Sequence, residues 1–176
     1  GGRRGRPDRV RTVTSRDART TFAVGIDPGD STGLAIVRGD GFRLHYEQGP
    51  PSILDDFEVR FAFLRSPGYD VLIACERFVV TANTARHSAQ PIAQQVVGVV
   101  ARLCRLNDWP LYMQSPFQVK KLVRNSLLAD LGLLLRGQDV DQPDANDVND
   151  AQRHALGVLA FHRASLFSNL ITNIGV

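Results

Sequence analysis

The sequence holds only two cysteines, Cys75 and Cys104, both in apolar surroundings and without the paired spacing of a zinc site. That excludes a disulfide framework and points to reduced thiols in a cytoplasmic protein. No run approaches the roughly 20 apolar residues that a bilayer helix needs. The arginine-rich N-terminal segment also has no apolar block of the kind that directs secretion, so neither a membrane-spanning nor a secreted protein is expected. Internal repeats and interdomain linkers are missing as well. What remains, 176 residues of which 43% are hydrophobic and 22% charged, predicts one soluble domain with an adequate core.

Charge is distributed unevenly. Residues 1–21 carry seven arginines against Asp8 and Asp17, a balance of +5, whereas the rest of the chain stands at −2. An arginine-studded, glycine-containing segment almost without aromatics cannot bury enough surface to fold, but it can neutralise phosphates without adopting one shape. Residues 1–21 therefore read either as a disordered basic arm or as a solvated tail, and residues 22–176 as the folded domain.

From residue 22 the pattern tightens. Residues 22–27 form an apolar run ending in an acid, residues 33–37 a second run after a Pro28-Gly29 turn, and residues 42–47 a weaker third one behind Gly39-Asp40-Gly41. Tight turns of this kind join antiparallel strands. Residues 52–65 change period: Ile53, Leu54, Phe57, Phe61 and Leu64 recur at helical spacing, which predicts one amphipathic helix stopped by Pro67-Gly68. Residues 71–75 are a further strand closed by Glu76, residues 89–107 a helix, and residues 111–113 a last short strand. Helical pieces follow, broken near Gly132 and Gly137, and residues 147–166 make a final amphipathic helix. This order predicts an α/β fold, a mixed five-stranded sheet whose first three strands are an antiparallel meander, with helices covering both faces.

The chemistry-bearing residues lie at strand ends. Asp27 closes Val24-Gly25-Ile26 and Glu76 closes Leu72-Ile73-Ala74-Cys75. An acid at the end of an apolar strand is costly to bury without a partner or a metal, and two of them converge if their strands are neighbours. Asp147 and Asp150 are three apart on the last helix and so share a face, while Asp144 reads as a helix-start residue. Four carboxylates gathered in one place repel unless divalent cations neutralise them. Hard oxygen ligands without a thiolate suit magnesium or manganese rather than zinc, and a two-metal phosphoryl-transfer site follows.

These residues carry a resemblance. Gly25-Ile26-Asp27-Pro28-Gly29, with Gly33 four further on, resembles the opening strand and turn of the RuvC family of Holliday-junction resolvases. Ala74-Cys75-Glu76 is similar to that family's second acidic strand end, Gln118-Val119-Lys120 to its basic segment after the fifth strand, and Asp147-x-x-Asp150-Ala151 to its C-terminal acid pair. The resemblance implies an RNase H-like fold acting as a homodimer, each subunit nicking one of two symmetric strands of a four-way DNA junction to leave a 5′-phosphate and a 3′-hydroxyl. It implies Asp27, Glu76, Asp147 and Asp150 as ligands of two magnesium ions, with manganese as a substitute. Lys120 corresponds to the active-site lysine, although Lys121 beside it competes for that role and an exposed basic helix start would look the same.

Substrate contacts rest on charge and position. Arg77, Phe78, Arg86 and the Lys120-Lys121 pair are the candidate DNA contacts, with Phe78 either a wedge against an unstacked base or a core residue. His154, one turn after Asp150, reads as an ordinary surface histidine, with an auxiliary base as the alternative. The valine-rich helix of residues 89–107 resembles the family's dimer helix, and a core helix would read alike. The rival functions are an RNase H-like ribonuclease acting on structured RNA, a non-catalytic junction-binding protein, and an actin-like or sugar-kinase ATPase. The last also opens with an Asp followed by a glycine turn, but it needs two lobes to clasp its nucleotide.

Overall fold

In the computed structural model, residues 19–77 and 90–174 are described. Five strands form one mixed sheet in the order β3-β2-β1-β4-β5: β1 Thr20–Asp27, β2 Thr32–Arg38, β3 Arg43–Gly49, β4 Tyr69–Glu76 and β5 Leu111–Gln114. The first three are the expected antiparallel meander, and β4 and β5 then run parallel to β1. Thr20 and Thr21, counted with the basic arm by composition, are instead the first residues of β1.

Side chains alternate between the two faces of a strand, and that parity divides the core. Phe22, Val24 and Ile26 of β1 and Val71, Ile73 and Cys75 of β4 pack on one face. They meet Ile53, Leu54, Phe57, Phe61 and Leu64 together with Val96, Val100 and Cys104 of α2 (Gln90–Leu106). Ala23 of β1 and Leu72 and Ala74 of β4 point to the other face, against Ala155, Leu156 and Leu159 of α6 (Asn146–His162). The same face is completed by α3 (Pro116–Leu122), α4 (Asn125–Asp130) and α7 (Ala164–Asn173), while α5 (Gly137–Val140) lies in the connection leading to α6. Helices therefore cover both faces.

Small residues set how closely α6 approaches the sheet. A Cβ added at Gly25 would lie 1.8 Å from the Ala151 carbonyl oxygen, and one at Gly33 would lie 2.1 Å from that of Asp147. Only glycine leaves room for helix backbone at these two points. The amino end of α6 is tied from the other side by Gln48 of β3, whose amide oxygen accepts from Val148 N–H at 3.1 Å and whose nitrogen donates to the Asp144 carbonyl at 3.2 Å.

Two helices differ from the sequence expectation. Residues 52–65 are not one amphipathic helix but a 3-10 turn Pro51–Leu54, a single α-turn α1 Phe57–Arg60 and a second 3-10 turn Ala62–Arg65. Their five apolar side chains are nonetheless all buried, because spacings of three and four serve 3-10 and α geometry alike. The final helix is also two. It breaks at Arg163, whose guanidinium reaches Asp70 at 2.6 Å and the His162 carbonyl at 2.7 Å, before α7 resumes.

Candidate functional site

The same parity that divides the core puts Asp27 and Glu76 on the α6 side, each at the carboxyl end of its strand. These strands are adjacent, pairing Ile26 with Cys75, so the two carboxylates leave the sheet side by side. Asp150, one turn into α6, comes down on them. Asp27, Glu76 and Asp150 each present an oxygen within 4.8 Å of the others, a spacing one cation can bridge. Asp147 stands at the edge of this triad. It lies close enough to Asp144, Asp150 and Glu76 to feel their charge.

The electrostatics match the crowding. The Asp27 carboxyl is pushed up to about 8, chiefly by burial and then by the negative charge of Glu76, Asp150 and Asp147, with Lys120 acting in the opposite sense. Asp147 is raised as well, first by burial, although the Ser31 hydroxyl opposes the shift. A carboxyl held protonated at neutral pH by burial and then by neighbouring acids is what a cation would relieve. The donor set is all carboxylate oxygen, which suits a hard divalent ion.

Among the described residues, two cations pair with Asp150 of the triad. Lys120 Nζ, one turn into α3, lies 2.6 Å from Asp150 Oδ2. Arg153, three residues after Asp150 on α6, binds Asp150 Oδ1, the Asn125 side-chain oxygen and, at 3.2 Å, the Val123 carbonyl. Lys121 is exposed and makes no ion pair among the described residues. Arg77 is exposed just past β4, where its N–H donates to the Gln114 carbonyl at 2.7 Å. Phe78 and Arg86 lie outside the described residues.

His154 is not a surface residue. It is 1% exposed, with Nε2 3.2 Å from Glu76 Oε2 and Nδ1 2.9 Å from the Gln114 amide. A helix packed on both the sheet and α3 has little solvent face, so the surface reading failed. Asp144 behaves as a helix-start residue, its Oδ1 accepting from Asn146 N–H at 3.0 Å.

Sequence reasoning missed three residues here. Arg153 had a legible signal, the same three-residue spacing from Asp150 that links Asp147 to Asp150. Gln114 had none, because only the β4–β5 register, which pairs it with Glu76, brings it into the site. Phe117, 76% exposed on the first turn of α3, is a large aromatic presented to solvent three residues before Lys120.

Known structures resemble this architecture over nearly its whole length. A Thermus thermophilus RuvC structure covers 82% of this chain and 97% of its own at TM-score 0.56 and 19% identity. The fold is RuvC-like. T. thermophilus RuvC in complex with Holliday junction substrate covers 88% of this chain and 96% of its own, at TM-score 0.52 and 17% identity. At the level of sequence, no protein-family model and no curated protein matches the chain. The RuvC-like fold accounts for the strand order and the mixed sheet. The acidic cluster, Lys120 and the His154 contacts are features of this chain's own side chains.

Proposed function

We propose that this chain is a divalent-metal-dependent endonuclease that cuts four-way DNA junctions by paired nicks, as a homodimer, leaving 5′-phosphate and 3′-hydroxyl ends. One observation carries the reading: carboxylates from β1, β4 and α6, distant in sequence, meet within 4.8 Å at the sheet end of a RuvC-like fold. Asp27, Glu76 and Asp150 would hold the first cation and Asp147 would help to hold a second. Magnesium, or manganese in its place, would supply an activated water and stabilise the leaving oxygen when bound.

The protein's own groups divide the remaining work. Lys120 reaches the cluster from α3 on a half-exposed side chain and is free to turn toward a scissile phosphate, where its charge would offset the charge that builds in the transition state. Arg153 holds Asp150 from the buried side, which keeps the carboxylate aimed at the sheet ends. Arg77 and Lys121 flank the cluster as exposed cations, positioned for phosphates to either side, while Phe117 offers a stacking face for an unpaired base. Residues 1–21, which carry seven arginines, would add affinity that weakens with salt. Phe78 and Arg86 complete the proposed DNA contacts. No helix among the described residues is long and apolar enough to cross a membrane, and a cytoplasmic location fits the substrate.

The deciding experiment compares cleavage of labelled four-way DNA, a Y-fork, linear duplex and structured RNA by the purified protein in magnesium and in EDTA. Symmetric nicks in the four-way junction, abolished by EDTA and by Glu76→Gln, are expected. Cleavage of structured RNA with the junction left intact would replace this reading by the ribonuclease one. Junction binding without any cutting would replace it by a non-catalytic role.

A further inference from the structure

One buried polar network lies behind the carboxylates rather than among them. Gln114 ends β5 directly beside Glu76 in the register, and both side chains share the α6 face of the sheet with His154. The Gln114 amide has its oxygen accepting from Val158 N–H at 3.0 Å and its nitrogen donating to the His154 carbonyl at 3.1 Å and to His154 Nδ1 at 2.9 Å, the orientation that satisfies every partner. Nδ1 is therefore an acceptor. The ring proton resides on Nε2, 3.2 Å from Glu76 Oε2, and is donated there. The amide has almost no freedom to turn, because it packs on Gly157, where an added Cβ would stand 3.3 and 3.4 Å from its two terminal atoms.

We propose that His154, locked in its Nε2–H tautomer by Gln114, is a positioning residue that holds the Glu76 carboxylate in place for a divalent cation shared with Asp27 and Asp150. The role deepens the metal-site reading above and rests on it. Glu76 needs such a support because it is the last residue of its strand, followed by an exposed Arg77, and an acid there has several rotamers open to it. A neutral donor fixes one oxygen without adding a charge that would compete with the cation, leaving the rest of the carboxylate to bind. Imidazole is suited to the span: it reaches from the α6 backbone to the strand end and spends both nitrogens doing so. Its burial and its full set of partners leave it no face toward a substrate, which sets aside the auxiliary-base role.

The test joins a spectroscopic readout on the unaltered protein to metal affinity in variants. A ¹H–¹⁵N long-range correlation spectrum of the metal-free protein at neutral pH is expected to show Nδ1 of His154 unprotonated and Nε2 protonated. An Nδ1–H tautomer overturns the proposal whatever the variants do. Manganese affinity is then measured by calorimetry on the full chain. His154→Leu is expected to bind roughly tenfold more weakly or worse, in the range that outer-shell partners of ligands usually command. His154→Gln, whose amide can still donate to Glu76, is expected to recover most of that loss although it cannot act as a base. Should both variants lose thermal stability alike while keeping wild-type manganese affinity, His154 is a packing residue and the proposal fails. Manganese binding lost in Glu76→Gln but unchanged in His154→Leu overturns this inference alone. If the wild-type protein shows no manganese binding that Glu76→Gln removes, the metal-site reading itself falls.

Discussion

Replacing Asp27 by Asn should make the metal-free protein more stable while destroying its metal site, and the effect should depend on pH in a defined sense. The Asp27 carboxyl is pushed from 3.8 up to about 8 by burial and by Glu76, Asp150 and Asp147. Below about pH 4 both folded and unfolded chains keep this proton. As pH rises from about 4 to about 8 the unfolded chain releases it and the folded chain does not, so the native state binds more protons and stability falls across that window. About four pH units at about 1.4 kcal/mol each set a ceiling of about 6 kcal/mol. That ceiling reflects burial first and the neighbouring carboxylates second, and an Asn amide in the same buried place still carries part of the desolvation cost, so the variant should recover about 2 kcal/mol. For a chain of this size that corresponds to a rise in Tm of about 4–8 °C. The assay is thermal or urea unfolding of wild type and Asp27→Asn in EDTA from pH 4 to pH 8, repeated with magnesium. The stability gap should be near zero at pH 4 and open toward pH 8. Magnesium should then stabilise the wild type by mass action and leave the variant where it was. A variant no more stable than wild type at pH 8 in EDTA, or a gap that stays constant with pH, would refute the account of the carboxylate crowding.

Four further outcomes follow. Gly25→Ala forces a Cβ against the Ala151 carbonyl of α6 and should cost about 3 kcal/mol or more by urea unfolding, with nuclease activity lost because Asp150 is displaced. Gly98→Ala on α2, where nothing lies within 4 Å of the added carbon, should instead stabilise by about 0.5–1 kcal/mol. Lys120→Ala should lower the cleavage rate about 100-fold with little change in Tm, since the side chain is half exposed, whereas Lys121→Ala should keep most of the activity. Both thiols should be inert to a disulfide reagent at pH 7.5 until the protein is unfolded, because burial raises Cys75 and pushes Cys104 up to about 11.

The parts of the fold that were legible in the sequence are those in which one residue's neighbours along the chain decide its environment. The apolar runs marked Asp27 and Glu76 as strand ends that would converge if their strands were neighbours, and a three-residue spacing put Asp147 and Asp150 on one helical face. The parts that were not legible depend on partners far away in sequence. Nothing around Arg163 breaks a helix. Its break coincides with an ion pair to Asp70 on β4, a residue that composition treats as ordinary surface. Residues 52–65 have a spacing that satisfies two kinds of helix, and only their packing against β1 and α2 selects the mixture.

His154 shows the same limit more sharply. A histidine on a helix reads as solvent-facing when the helix is taken to be amphipathic, yet α6 also buries Asn149 and Gln152. Asn149 bonds both backbone groups of Leu135, at 3.0 and 2.9 Å, and Gln152 in turn bonds Asn149 at 3.2 Å. The long connection before α6 thus wraps over the helix flank that would otherwise face water and is held there by side chains that look polar and exposed in the sequence. A helix covered on that flank by its own preceding connection, and on the other by the sheet and α3, turns its polar residues inward, where each must find a partner. For His154 that partner is a carboxylate at the end of β4. The glycines at 25 and 33 that let α6 lie against the strands therefore do more than close the core: they bring Asp150 down to Asp27 and Glu76 and set the imidazole behind Glu76 in the same step.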